Sequence, residues 1–100
     1  MLIRYGKFEW HSEKAEYNYK RHGIKFERAI EVFKDRNRIT KEDPYEYEER
    51  WQTTGLNKNG MLWFVVYTYI STEDGNFTRI ISARRTSTAE RKEYGNRKLF

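Results

Sequence analysis

Met61-Leu62-Trp63-Phe64-Val65-Val66-Tyr67-Thr68-Tyr69-Ile70 is the longest apolar run in the chain, with four aromatic rings and no charge. It is too short to cross a bilayer as a helix, which takes ~20 residues. Its β-branched and aromatic content favours a strand. Both parities of the run are apolar, so the strand is expected at the centre of a sheet. Turn signals flank it. Asn57-Lys58-Asn59-Gly60 precedes it and Glu73-Asp74-Gly75-Asn76 follows it, both of hairpin composition. The neighbouring strands are then Glu48 to Leu56 and Phe77 to Arg85, with a shorter one at Arg38 to Lys41. Turns this short join only antiparallel neighbours, which predicts a meander.

Upstream, Phe26, Ala29, Ile30 and Phe33 fall at i, i+3, i+4 and i+7, the apolar stripe of a helix over Phe26 to Lys34. Another helix is predicted from Ser12 to His22, with Gly23 as its left-handed stop. Lys7 to Trp10 alternates polar and apolar and reads as a short strand. Downstream, Ser87-Thr88-Ala89-Glu90 has the spacing of a capping box. The helix it opens is predicted to stop at Gly95, with a loose tail from Asn96 to Phe100. The predicted fold class is α+β, one domain over residues 1–100. Two N-terminal helices pack on an antiparallel β-meander sheet, with a short C-terminal helix.

Composition narrows the functional classes. Three Trp, eight Tyr and six Phe supply a core to a chain of 100 residues, since each such ring buries ~150–250 Å². A charged fraction of 35% argues against a membrane protein. There is no cysteine, which excludes disulfide and thiolate chemistry. No metal or other cofactor is expected, because the two histidines stand eleven apart without carboxylates at ligand spacing. The opening Met1 to Tyr5 lacks the apolar core of a signal peptide, so a cytoplasmic location is expected. The net charge of +5 favours an anionic partner such as nucleic acid.

Several short motifs occur in a familiar order. They are Phe8-Glu9-Trp10, Lys14, Asn18, Lys20-Arg21-His22-Gly23-Ile24 and Phe26-Glu27, then Glu49-Arg50, Gly55, Val66-Tyr67-Thr68, Arg79-Ile80-Ile81-Ser82-Ala83-Arg84-Arg85, Glu90-Arg91 and Tyr94. Together they resemble the BrnT toxins over roughly residues 8 to 94. The resemblance implies a fold related to RelE-type ribonucleases and RNA cleavage that stops translation. It also implies a cognate BrnA-like antitoxin with a ribbon-helix-helix DNA-binding part. Two positions depart from the family pattern. His11 stands where Asp is usual and Lys25 where Ser is usual, and each change removes a helix N-cap worth ~0.5–2 kcal/mol.

Metal-free RNA cleavage needs a base for the 2′-hydroxyl, an acid for the leaving 5′-oxygen, and cations for the phosphorane. Histidine is the residue type most suited to acid or base work near neutral pH, which makes His22 the sharpest candidate; its other reading is a helix-end residue that favours the dipole. Glu49 suits the base, or is a solvated partner of Arg50. Arg79, Arg84 and Arg85 form the expected phosphate clamp. Arg79 and Arg85 share one parity and Arg84 the other, so a regular strand cannot present all three together; a bulge would change that. The active cleft is expected to hold His22, Arg50, Arg79 and Arg84. Lys14 and Lys20 point about 120° apart on the first helix and are phosphate contacts or solvated charges. Asn18 is expected to bond a backbone group. Trp63 and Tyr67 either stack on unpaired bases or, as the favoured reading for a central strand, lie buried. Two other functions stay open at this point: a nucleic-acid-binding module without catalysis, and a protein-interaction domain.

Overall fold

The structure, a computed structural model, describes residues 1–98. Its elements in chain order are β1 (Leu2–Tyr5), β2 (Phe8–His11), α1 (Ser12–His22), α2 (Phe26–Ala29) with a 3-10 continuation (Ile30–Lys34), β3 (Ile39–Asp43), β4 (Arg50–Leu56), β5 (Leu62–Thr72), β6 (Gly75–Arg85) and α3 (Thr88–Lys98). The six strands form one sheet in the order β1-β2-β6-β5-β4-β3. The predicted meander is present: β3 to β6 pair antiparallel in sequence. β5 has strand neighbours on both sides, as its apolar sequence requires.

Two features correct the expected architecture. Strands, not helices, come first, because Leu2–Tyr5 pairs antiparallel with Phe8–His11. The sheet is also mixed, since β2 joins β6 in parallel through Phe8↔Thr78 and Glu9↔Arg79. The whole chain between β2 and β6 makes that connection. No tight turn then dictates direction, and local signals are silent about it.

Strand alternation assigns the two faces. Trp63, Val65 and Tyr67 of β5, Ile80 and Ala83 of β6 and Trp10 of β2 form the core with Ile24, Phe26, Ala29 and Val32. The first two helical segments therefore cover this face. The second helix has the predicted extent, but only its first turn is α; the rest is 3-10. That segment lies against β4 at Gly55, where an added Cβ would meet the Val32 carbonyl oxygen at 3.0 Å. Neither His11 nor Lys25 makes a side-chain cap bond, as the two departures predicted. Gly23 does end α1 at φ 71°, its N–H bonded to the Tyr19 carbonyl at 2.8 Å.

The opposite face carries Phe64, Val66 and Thr68 of β5. α3 covers one part of it. Ile39, Thr54 and Phe64 lie beside Ala89, Glu90 and Glu93. The capping box forms in both directions: Ser87 N–H donates to Glu90 Oε1 at 2.8 Å and Glu90 N–H to Ser87 Oγ at 3.2 Å. Gly95 does not stop the helix. It is not in a positive-φ conformation, and α3 continues to Lys98. Of the tail expected to be loose, Asn96 to Lys98 are helical, and the rest lies outside the described residues.

Candidate active site

A β-bulge in β6 organises the open face, the side of the sheet away from the first two helices, which α3 covers only in part. Val66 pairs with Ser82 and Tyr67 with Ile80, so Ile81 has no partner on β5. Ile80 before the bulge and Ala83 after it both enter the core. The residues between and beside them are regrouped as a result. Arg79, Ser82 and Arg84 share the open face, while Arg85 takes the other parity and is exposed. A regular strand would have separated Arg79 from Arg84.

Each of these arginines is held by a carboxylate. Arg79 donates through Nε at 2.6 Å and Nη2 at 2.5 Å to Oε2 of Glu9, whose side chain is fully buried. Arg84 grips Glu90 end-on, Nη1 to Oε1 at 2.9 Å and Nη2 to Oε2 at 2.8 Å, and lies over the Phe64 ring at 3.9 Å. Those bonds hold the Glu90 carboxyl below the usual carboxylate range, opposed in part by burial. Arg50 is on the same face by the register of β4. Its Nε bonds Glu48 at 2.9 Å and its guanidinium lies 3.7 Å above the Tyr45 ring. Glu49, just ahead of β4, is exposed, and its carbonyl accepts the Thr68 hydroxyl at 2.6 Å. Thr68 in turn is the β5 partner of Arg79, so Arg50 and Arg79 stand about two strand spacings, ~10 Å, apart.

His22 reaches this face from its edge. Beyond Arg79, β6 has no strand partner on its β2 side, and α1 lies along that edge. Asn18 fixes it there, bonding Ala83 N–H through Oδ1 and the Ala83 carbonyl through Nδ2, both at 3.0 Å. Between helix and strand runs a groove of about 440 Å³, lined by Lys14, Tyr17, Arg21, His22, Ile81 and Ser82, among others. Ser82 thus belongs both to the groove and to the arginine face.

The remaining expected contacts separate. Lys14 lines the groove, whereas Lys20 is exposed and pairs with Glu16 at 3.0 Å. Trp63 and Tyr67 are core residues, 6% and 2% exposed. The Tyr67 hydroxyl is spent on Thr53 at 2.8 Å. Neither ring is available to a base, because their parity on β5 is the one the helices cover. Exposed rings occur instead at Tyr5, Tyr17, Tyr19, Tyr45, Tyr47 and Tyr69.

The sequence model of the family described as "Ribonuclease toxin, BrnT, of type II toxin-antitoxin system" matches residues 10–90. The chain belongs to the BrnT family. Comparison with curated proteins finds no match. The BrnT segment contains the bulge, Arg50, Arg79 and Arg84 of the open face, and the residues that line the His22 groove. Glu9, which holds Arg79, lies just outside it. Reading the sequence missed three members of the site. Ser82 depends on the bulge, Glu90 was recognised only as a cap, and Glu9 was quoted only as a motif residue. The one signal for Glu9 is its place between Phe8 and Trp10: a charge alternating with two apolar rings faces away from the core. Among the described residues, no helix is long and apolar enough to cross a membrane.

Proposed function

We propose that this BrnT chain is a metal-independent endoribonuclease whose active face is the bulged end of β6. The observation that supports it is the convergence at Ser82: Arg79 and Arg84 flank it on the sheet, and His22 and Lys14 share its groove. RNA laid on this face meets fixed guanidiniums, which suit phosphate oxygens, beside an imidazole, a side chain suited to proton transfer.

In the reaction a base removes the 2′-hydroxyl proton and O2′ attacks phosphorus. The P–O5′ bond breaks, and an acid protonates O5′. The products are a 2′,3′-cyclic phosphate and a 5′-hydroxyl. His22 is assigned to one proton transfer and Glu49 to the base role, with Arg50, Arg79 and Arg84 neutralising the phosphorane. Lys14, Lys20 and Arg85 supply charge around the substrate. The toxin acts in the cytoplasm, cleaves cellular RNA, and so inhibits translation. A BrnA-like antitoxin of ribbon-helix-helix type neutralises it.

The test is incubation of the folded chain with RNA in EDTA. Fragments ending in 2′,3′-cyclic phosphate are expected. Arg79→Ala and Arg84→Ala should each slow cleavage by about 10²–10³-fold in protein that melts cooperatively. Intact RNA after incubation with folded wild type overturns the proposal.

A further inference from the structure

A carboxylate with no solvent exposure lies in the open face. Glu9 sits on β2 between Arg4 of β1 and Arg79 of β6, in a lateral row Arg4–Glu9–Arg79–Thr68 set by the strand register. Arg79 is bound through Nε and Nη2 to Oε2, and Arg4 Nε approaches Oε1 at 3.3 Å. Arg4 is held further by Asp74 at 2.8 Å and by the Phe77 ring 4.0 Å from its guanidinium carbon. Glu9 does not belong to the hydrophobic core, since its neighbours Phe8 and Trp10 are the β2 residues packed there.

A buried ion pair is weak support for a fold, because desolvation offsets most of its attraction. What it does supply is orientation. Arg79 has four rotatable side-chain bonds and is 30% exposed. Bound through Nε and Nη2, its guanidinium plane is fixed, and Nη1 has no bonded partner among the described residues. We infer that Glu9 is a positioning residue: it fixes the Arg79 guanidinium so that the free edge meets the scissile phosphate. The inference rests on the active face assigned above. It adds a residue that does not touch the RNA and lies outside the segment matched by the family.

Three roles for Glu9 make different predictions. If it only neutralises Arg79, removing its charge strengthens the cationic face, and both binding and turnover rise. If it only supports the fold, kcat of the folded fraction is unchanged. If it positions Arg79, kcat falls while KM stays or drops, since the freed guanidinium still attracts RNA but no longer meets the transition state in register. A misplacement of about 1 Å costs about a hundredfold.

The experiment measures kcat and KM for cleavage of a short RNA by wild type, Glu9→Gln, Arg79→Ala and the double variant, with thermal melts on each. Glu9→Gln keeps the side-chain size and one acceptor oxygen. The expected result is a fall in kcat of about a hundredfold with KM no higher, and no further loss when Glu9→Gln is added to Arg79→Ala. Unchanged or raised kcat in Glu9→Gln overturns the inference, as does an additive loss in the double variant. Should Glu9→Gln melt before the assay temperature, Glu9→Asp, which keeps the charge but shortens its reach, replaces it with the same expected split. Absence of cleavage by wild type is a different result, and it counts against the nuclease assignment itself.

Discussion

The side-chain amide of Asn18 pairs with the backbone of Ala83 as a neighbouring strand would. Its Oδ1 accepts the Ala83 N–H and its Nδ2 donates to the Ala83 carbonyl, while Nδ2 also reaches the Ile24 carbonyl at 3.2 Å. β2 pairs with β6 only at Thr78 and Arg79, which leaves the later half of β6 as a raw edge. Asn18 closes that edge and sets the distance of α1 from the bulge. Asn18 also lines the groove that contains His22.

Replacing Asn18 with Ala should therefore cost stability and function together. Three buried backbone groups, the Ala83 N–H and carbonyl and the Ile24 carbonyl, lose their partner at about 1–3 kcal/mol each. The melting temperature should fall by at least several degrees, since 1 kcal/mol is worth about 4–8 °C in a domain of this size. Hydrogen exchange at the Ala83 amide is the direct measurement. Unchanged protection there, with an unchanged melt, would show that the edge is closed by something else.

Gly55 gives a prediction with a steric origin. Its backbone is not left-handed, so conformational freedom is not what the position needs. A methyl group at Gly55 would stand 3.0 Å from the Val32 carbonyl oxygen and 3.1 Å from Val32 Cβ. Both contacts are tight, and one is with backbone. Gly55→Ala should destabilise by about 1–3 kcal/mol, the usual range for overpacking, measured by urea denaturation. A variant as stable as wild type would mean that the 3-10 segment shifts freely.

What the sequence made legible was local. The meander, Gly23 as a helix stop and the capping box at Ser87 each depend on neighbours within a few residues, and all are present. What it concealed was long-range or irregular. β1 was hidden because Leu2-Ile3-Arg4-Tyr5 is too short to show a period. The β2–β6 pairing was hidden because it joins opposite ends of the chain. The candidate site shows both limits at once. Its arginines could be named from residue type, but their grouping depends on a bulge at Ile81 that nothing in Ile80-Ile81-Ser82 announces. Gly95 erred the other way: a glycine near a helix end is a stop only where the chain turns left-handed.

The bond between Arg84 and Glu90 makes part of the stability of α3 depend on pH. Arg84 is the main cause of the lowered Glu90 carboxyl, and the Ser87 N–H adds to it. A carboxyl lowered on folding contributes stability above its unfolded value, and the contribution is lost as pH falls through the folded one. Glu90→Gln should be less stable than wild type near neutrality by about 1 kcal/mol, after allowance for partial exposure. Below the ordinary carboxylate range the two denaturation midpoints should converge. Curves that coincide at every pH would show that the pair contributes nothing to folding, and curves offset equally at every pH that its contribution does not depend on the Glu90 charge.

Tyr94 is the alkaline counterpart. Its ring is buried, and its hydroxyl donates to Asp35 Oδ2 at 2.5 Å, the same oxygen that accepts the Leu56 N–H at 2.8 Å. This bond ties α3 to the turn between the 3-10 segment and β3. Burial first, and the adjoining carboxylate second, push the phenol well above its ordinary value. A group raised on folding stabilises below its unfolded value, and that contribution drains away as pH climbs toward the folded one. Tyr94→Phe should cost about 1.5–3 kcal/mol at neutral pH, the range for a hydrogen bond to a charged group. It should also remove the part of the stability loss that sets in above about pH 10, the ordinary tyrosine value. Denaturation midpoints of wild type and Tyr94→Phe across that range give the answer. If both lose stability equally as pH rises, another group carries the alkaline transition and the Asp35 bond is weaker than its geometry indicates.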